Sequence, residues 1–251
     1  MRSTAIILFL ALTFTAQAQQ ATVSTLIARG DSAQYRMDPT GALRLYREAE
    51  ARAPRNPEVL WRISKVVSDI AAAEKDERRA RAQLDRALRY ARRAVSADST
   101  NSMAQVSLAI AYGQLAVIAP AREKLDLSKN IRAHALRALE LDADNGIAML
   151  VLGIWNREVA SLSWVLKLTM RVVYGEVPEA SLQESRRLLS RAVGSNPNAI
   201  MMRLEFAKTL IELDEEQQAV AQLRKALELP RRDAGDPRRI EEVRKLLADL
   251  T

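Results

Sequence analysis

The chain contains no cysteine and a single histidine, which excludes whole classes of site. Without thiols there is no disulfide, no thiolate zinc site, no iron–sulfur cluster and no cysteine nucleophile. Glycine and proline number eight each among 251 residues, roughly half of their usual combined share. Because these two residues interrupt helices, their scarcity favours a helical fold.

Aromatic residues are also few, at 4% of the chain. Nucleic-acid binding usually combines basic residues with aromatic platforms on which bases stack, so this composition argues against it. The net charge is +7, with 27% charged residues of both signs, which is typical of a solvated surface. The 48% of hydrophobic residues are enough to bury a core.

Residues 1–18 predict an export signal that precedes a folded domain at residues 19–251. Arg2 provides a positive start, residues 5–14 are almost wholly apolar, and residues 16–18 read AQA, a signal-peptidase pattern. The apolar stretch is short of the roughly 20 residues that span a bilayer, which argues against an uncleaved anchor. We therefore expect a periplasmic or secreted mature protein.

A small residue recurs near the end of successive predicted helices. It is Ala49, Ala94, Ala138, Ala192 and Ala226, at spacings of 45, 44, 54 and 34 residues. The last spacing is the tetratricopeptide repeat length. The first repeat also matches the motif at its small, aromatic and proline positions: Gly30, Ala42, Tyr46 and Pro54. In the second repeat, Lys65 departs from the small residue expected there.

These matches predict an all-α fold, a tetratricopeptide-like helical-repeat solenoid of about five helix pairs with a C-terminal capping helix over residues 237–250. The alternative is an unrelated helical bundle. Asp38, Asn56 and Asp236 each precede a proline, which is typical of a helix N-cap. The longest spacing predicts an insertion after Trp155, with helical periodicity over residues 154–174 and Gly175 as its stop.

Several segments resemble the tetratricopeptide domain of the regulator of microtubule dynamics proteins. They are residues 56–62 (NPEVLWR), residues 131–139, and the pairing of LGIW at 152–155 with LSW at 162–164. The resemblance covers roughly residues 40–248. It implies an all-helical scaffold without catalytic residues, in a family named for microtubule association and in which some members are credited with phospholipid binding at organelle membranes.

The first helix of each pair is expected to line the concave groove of such a solenoid, with the second, fifth, ninth and twelfth motif positions pointing inward. The candidate groove residues are Met103, Val106, Ile110, Ile147, Leu150, Ile154, Arg157, Met201, Leu204, Lys208 and Ile211. Most are aliphatic, whereas a clamp for a peptide carboxylate would repeat Lys, Arg and Asn. Such an apolar surface calls for a cover.

The sequence leaves three alternatives for what covers this groove: the chain's own insertion at residues 164–177, a partner helix or hydrophobic segment, or a lipid acyl chain. The three tryptophans, Trp61, Trp155 and Trp164, are expected to anchor the core rather than to bind a ligand.

A basic surface is predicted on one helix between residues 78 and 93. Its arginines, which share one face opposite an apolar one, are Arg78, Arg79, Arg81, Arg86, Arg89, Arg92 and Arg93. The plain interpretation is a solvated face; the alternatives are contact with an anionic membrane surface or with an acidic partner.

No catalytic residues, cofactor or metal site can be assigned. His134 is alone between two arginines, and no phosphate-binding glycine loop or metal-ligand spacing occurs. The sequence thus predicts a non-enzymatic, exported scaffold that binds another protein. The alternative is a phospholipid-binding or membrane-associated module using the aliphatic groove, and assembly into a homo-oligomer is a third hypothesis.

Overall fold

The computed structural model describes residues 20–163 and 179–251, and all regular structure in these two ranges is helical. There are eleven such helices: α1 (residues 20–35), α2 (Pro39–Arg52), α3 (Pro57–Ala73), α4 (Glu77–Ala97), α5 (Ser102–Ile118), α6 (Ala121–Leu141), α7 (Gly146–Ala160), α8 (Leu182–Ser195), α9 (Ile200–Glu212), α10 (Glu216–Glu228) and α11 (Asp236–Asp249). The prediction of an all-α protein is confirmed.

The helices pack as successive pairs, and each pair packs on the next. The pairs are α1 with α2, α3 with α4, α5 with α6, α7 with α8 and α9 with α10. The first helices of successive pairs also touch one another, and α11 closes the array by packing on α10 and α9. Five pairs and a C-terminal capping helix are therefore present, as the repeats predict.

The repeated small residues lie where the two helices of a pair cross. All five repeated alanines are completely buried. Two glycines in the first helices of their pairs show the same need for a small residue: a Cβ on Gly153 would lie 2.6 Å from Cγ of Leu189, and one on Gly30 would overlap the ring of Tyr46. Close backbone approach thus sets the residue type at these crossings.

Helix length accounts for the uneven spacing. The helices α3 to α6 are 17 or 21 residues long, whereas α9 and α10 have 13 residues each. The predicted helical stretch over residues 154–174 is helical as far as Ala160, where α7 ends, and it is interrupted there by a turn and a bend at residues 161 and 162. Residues 164–174 and Gly175 lie outside the described residues.

Two of the three predicted caps are confirmed. The side chain of Asp38 accepts a hydrogen bond from the amide of Gly41, and that of Asn56 accepts from Glu58 and Val59. Asp236 does something else: α11 begins at this residue, and its carboxylate accepts the backbone N–H groups of Arg232 and Asp233. It therefore shapes the preceding loop rather than capping its own helix.

The loop at residues 229–235, between α10 and α11, reaches back to the beginning of the array; we call it the closing loop. The guanidinium of Arg232 lies 5.2 Å from the ring centroid of Tyr35 in α1. Asp233 lies 3.6 Å from Nζ of Lys65 in α3. The array therefore curls until its two ends touch, and Lys65 replaces the usual small residue at a position where it meets this loop.

Residues 99–121 contain no charged residue, and most of them form α5, nine of whose residues are buried. Across residues 20–163 and 179–251, none of the helices is both long and apolar enough to traverse a bilayer.

Candidate functional site

Whether a predicted groove residue is buried or half-exposed depends on its position in the repeat motif. Residues at the fifth motif position are buried in all three helices: Val106, Leu150 and Leu204 are 0%, 4% and 1% exposed. They are buried because neighbouring first helices pack directly on one another. These three therefore belong to the core and offer no open surface.

Residues at the second and ninth positions are half-exposed in all three helices. They are Met103 and Ile110 in α5, Ile147 and Ile154 in α7, and Met201 and Lys208 in α9. Ile211, at the twelfth position of α9, is also half-exposed, whereas Arg157, at that position of α7, is buried. The structure thus leaves two rows of side chains on the inner face, five of them aliphatic or methionine.

The two cationic groove residues are not free for a ligand, because acidic residues hold both. Arg157 donates to Glu205 Oε2 at 2.7 Å and to the Glu205 backbone carbonyl at 3.0 Å. Lys208 donates to Glu205 Oε1 at 3.0 Å and pairs with Glu242 of α11 at 2.6 Å. A chain of charges thus joins α7, α9 and the capping helix.

The charges within this ion-pair network are balanced. Burial alone would raise the pKa of Glu205, but the positive charges of Arg157 and Lys208 outweigh it and hold that pKa below its usual value. The carboxylate therefore stays ionised, and the three residues act as a structural unit. A ligand would have to break this unit to use either cation.

Sequence reasoning missed the acidic partners. Glu205 lies three residues before Lys208 on α9, and Glu242 lies on the capping helix α11, two residues after the buried Ile240. Spacing of three residues on one helix is a usable signal for the Glu205–Lys208 pair. The contacts between helices have no such signal.

The arginine face of α4 is arranged as its amphipathic pattern indicates, with Leu84, Ala87 and Ala91 buried on the opposite side. Some of its arginines have partners: Arg81 pairs with Glu123 and Arg93 with Glu50, each at 2.7 Å.

The remaining arginines of this face differ in their contacts. Arg86 and Arg92 lie 6.0 and 5.9 Å from the ring centroids of Tyr90 and Tyr112. Arg78, Arg79 and Arg89 are exposed, and among the described residues no carboxylate lies within ion-pair distance of them.

The contacts of His134 hold it within the helical packing. Its Nδ1 lies 2.8 Å from Oε1 of Gln105, and its ring stacks on Tyr112 at 5.8 Å. Burial lowers its pKa, so the ring is neutral at pH 7. In the part of the chain that the structure describes, no group of three or more His, Asp or Glu could hold a metal ion.

The tryptophans differ in burial. Trp155 is 5% exposed, and its Nε1 donates to Ser128, as expected of a core anchor. Trp61 is only half-buried; its Nε1 donates to Glu58, and Arg62 lies 4.1 Å above its ring. Trp164 lies outside the described residues, as does the 164–177 insertion, so whether that insertion fills the groove stays a prediction.

Comparison with known proteins identifies the group to which this architecture belongs. A family model described as regulator of microtubule dynamics protein 1-3 matches residues 21–251. The chain belongs to this family. The resemblance drawn from the sequence is thereby confirmed, and it extends over nearly the whole described array.

Relatives in this family share about a quarter of their residues with the chain. Regulator of microtubule dynamics protein 1 of Caenorhabditis elegans is 26% identical over 190 residues, covering 76% of this chain and 84% of the relative. The mouse protein of that name is 26% identical over 207 residues, covering 82% of this chain and 66% of the relative. Bovine regulator of microtubule dynamics protein 3 is 24% identical, and the match covers 41% of its length.

A solved structure supports the fold. A thermophilic tetratricopeptide protein of Thermus thermophilus superposes with a TM-score of 0.64 at 15% identity, covering 90% of this chain and 99% of that one. At this identity the likeness concerns the fold alone, and it confirms a tetratricopeptide-type solenoid.

Proposed function

We propose that this regulator-family chain is a non-enzymatic scaffold that binds an apolar segment of a protein partner along its inner face. The observation that carries the proposal is the pair of half-exposed rows on α5, α7 and α9. Side chains at the same two motif positions, among them Ile110, Ile154 and Met201, are left partly uncovered in three successive pairs.

A helical or extended segment fits these rows for a physical reason. Repeating pairs place equivalent side chains at regular intervals, so a partner with regularly spaced apolar residues can contact several pairs at once. Burying apolar surface contributes about 25 cal/mol per Å², which favours a partner that covers the whole strip. The fixed ion pairs of Arg157 and Lys208 would flank the strip without competing for the ligand.

Peptide display against the purified chain tests this proposal. Selected peptides are expected to carry apolar residues at helical or alternating spacing. Their affinity should fall at least about tenfold in an Ile154→Asp variant, because an unpaired charge is costly to desolvate. The matched control is Val117→Asp, which changes an exposed residue at the end of α5.

Two outcomes would contradict the proposal: peptides that bind both variants equally, or a selection that returns no apolar pattern. Circular dichroism melts of each variant separate loss of binding from loss of fold, and Ile154→Ala gives a milder change at the same position. A doubled mass in native mass spectrometry would instead indicate that a second copy covers the strip.

The second candidate function is attachment to an anionic membrane surface through α4. Arg78, Arg79 and Arg89 favour it, because they are exposed and have no carboxylate partner among the described residues, and each basic residue near anionic lipid contributes about 1 kcal/mol. Replacing all three with Gln should abolish co-sedimentation with phosphatidylserine vesicles at low salt. Replacing Arg224, Lys225 and Arg244, which lie on α10 and α11, is the matched control.

A phospholipid-binding module that uses the inner face is the alternative to a protein-binding scaffold. Co-purified phospholipid detected by native mass spectrometry would support it, and the Ile154→Asp variant should lose that lipid.

We further propose export, on the basis of the apolar and AQA segments within residues 1–18. Sequencing the N-terminus of the protein from its native host tests this, because cleavage should leave residue 19 first. The relatives are named for microtubule dynamics, and we propose no such role for an exported chain.

A further inference from the structure

The closing loop contacts α1 and α3 through a small number of polar groups. Across this junction, Arg232 lies over the ring of Tyr35 at 5.2 Å, and Asp233 lies 3.6 Å from Lys65. Lys65 is shared, because its Nζ also contacts Asp69 at 2.7 Å. The side chains of Lys65 and Asp233 are 30% and 35% exposed, so water and ions reach this junction.

On its other side the same loop is firmly braced. Asp236 accepts the backbone N–H groups of Arg232 and Asp233, each at 2.9 Å. Arg239 donates to Asp233 at 2.7 Å and to Asp236 at 2.9 Å. These contacts are local to the loop and α11, so the loop keeps its shape and the direction of Asp233 whether or not α3 is near.

We propose that the closing loop is an ionic strap that holds the curled array shut between its last and first helix pairs and that releases while every pair stays folded. The asymmetry of its contacts carries the proposal. On one side the loop is fixed by hydrogen bonds to the buried Asp236 and by Arg239, which bridges Asp233 and Asp236; on the other, the contacts with α1 and α3 among the described residues are partly exposed and depend on charge. When the junction parts, it parts between Asp233 and Lys65.

Opening at this junction has a defined geometric result. Successive helix pairs share extensive apolar contacts, including residues that are completely buried, such as Leu60, Ile63 and Leu210, and these resist separation. The junction lacks a comparable apolar contact among the described residues. Small rotations between pairs therefore add up at the two ends of the array, and the inner face widens on the side of α1 and α3.

Distance measurement between two spin labels tests the strap directly. The chain contains no cysteine, so Ser32→Cys in α1 and Arg231→Cys in the closing loop introduce the only labelling sites. Pulsed electron–electron double resonance at low salt should give one narrow distance population. In about 1 M sodium chloride, where the screening length falls to about 3 Å, a longer and broader population should appear.

Variants identify the contacts responsible. Lys65→Ala combined with Arg232→Ala should raise the ratio of open to closed molecules by about threefold to tenfold at low salt, as expected for two exposed polar contacts. Arg238→Ala, an exposed arginine just beyond the loop, is the matched control and should leave the distribution unchanged. A second label pair on α9 and α10 should report the same distance under all conditions.

Two results would overturn the proposal: a distance distribution that neither salt nor the double variant changes, or one in which the α9–α10 pair moves as much as the strap pair. The measurement uses the chain without any partner, so its outcome is independent of whether the inner face binds a protein.

Discussion

The glycine at the crossing of α7 and α8 offers the sharpest test of the packing. Gly153 is buried, and a Cβ built on it would lie 2.6 Å from Cγ and 2.9 Å from Cδ2 of Leu189, a residue that is itself completely buried. Gly113 also lies inside a helix, but a Cβ there would have no neighbour within 4 Å. The two glycines therefore differ in the space beside them.

Their replacement by alanine should have opposite effects on stability. Alanine in a helix interior is favoured over glycine by about 0.5–1 kcal/mol, and Gly113→Ala should gain that amount. Gly153→Ala has the same gain, but forcing Leu189 aside in a packed core costs about 1–3 kcal/mol. We therefore expect Gly153→Ala to be about 1–3 kcal/mol less stable than Gly113→Ala.

Urea denaturation followed by circular dichroism measures the difference. For a chain of this size, 1 kcal/mol corresponds to about 2–4 °C in melting temperature, so thermal melts should separate the two variants by several degrees. The reasoning would be refuted if Gly153→Ala were as stable as Gly113→Ala, since the close approach of α7 and α8 would then not exist.

Three further predictions concern charge and hydrogen bonding. Glu205→Ala should cost about 3 kcal/mol of unfolding free energy because it removes the buried carboxylate that pairs with the buried Arg157. Glu158→Ala, which removes an exposed partner of the same arginine, should cost less than about 1 kcal/mol. Equal losses in urea titrations would contradict this.

Burial alone would raise the pKa of Asp233, but the positive charges of Lys65 and Arg239 lower it to about 2. The ionised carboxylate therefore stabilises the fold above about pH 4, and this contribution is lost as the pH falls towards 2. Because this group is 35% exposed, Asp233→Asn should lower stability at pH 7 by no more than about 1 kcal/mol. The difference in melting temperature from the wild type should shrink below pH 4, and a difference that grows there would reverse the assigned sign. Trp155→Phe, which removes the donor to Ser128, should cost about 1 kcal/mol, and an unchanged urea midpoint would show that the bond contributes nothing.

The fold could be predicted from the sequence because its determinants are local and repeated. A small residue at each helix crossing is needed wherever two backbones approach closely, so the alanines and Gly153 mark the pairs directly. Asn56 before a proline marks a helix start for an equally local reason. Asp236 has the same sequence signature as Asn56, yet it binds the loop before it, because Arg239 one turn later and two free amides compete for its carboxylate.

The inner face was predictable only in part. Helical periodicity identifies which side of α5, α7 and α9 turns inward, but it does not reveal that neighbouring first helices pack closely enough to bury Val106, Leu150 and Leu204. Nor does it show which acidic residue reaches Arg157 from another helix. Both facts depend on the distance between pairs, which no local pattern encodes.

The contact between Lys65 and the closing loop also bears on how the molecule loses its structure. In a linear array, each pair is stabilised only by its neighbours, and the terminal pairs exchange their amide hydrogens first. Here residues 168 positions apart touch, so neither terminus is a simple end. Destabilising the capping helix should therefore lower the hydrogen-exchange protection of α1, near the other end of the array.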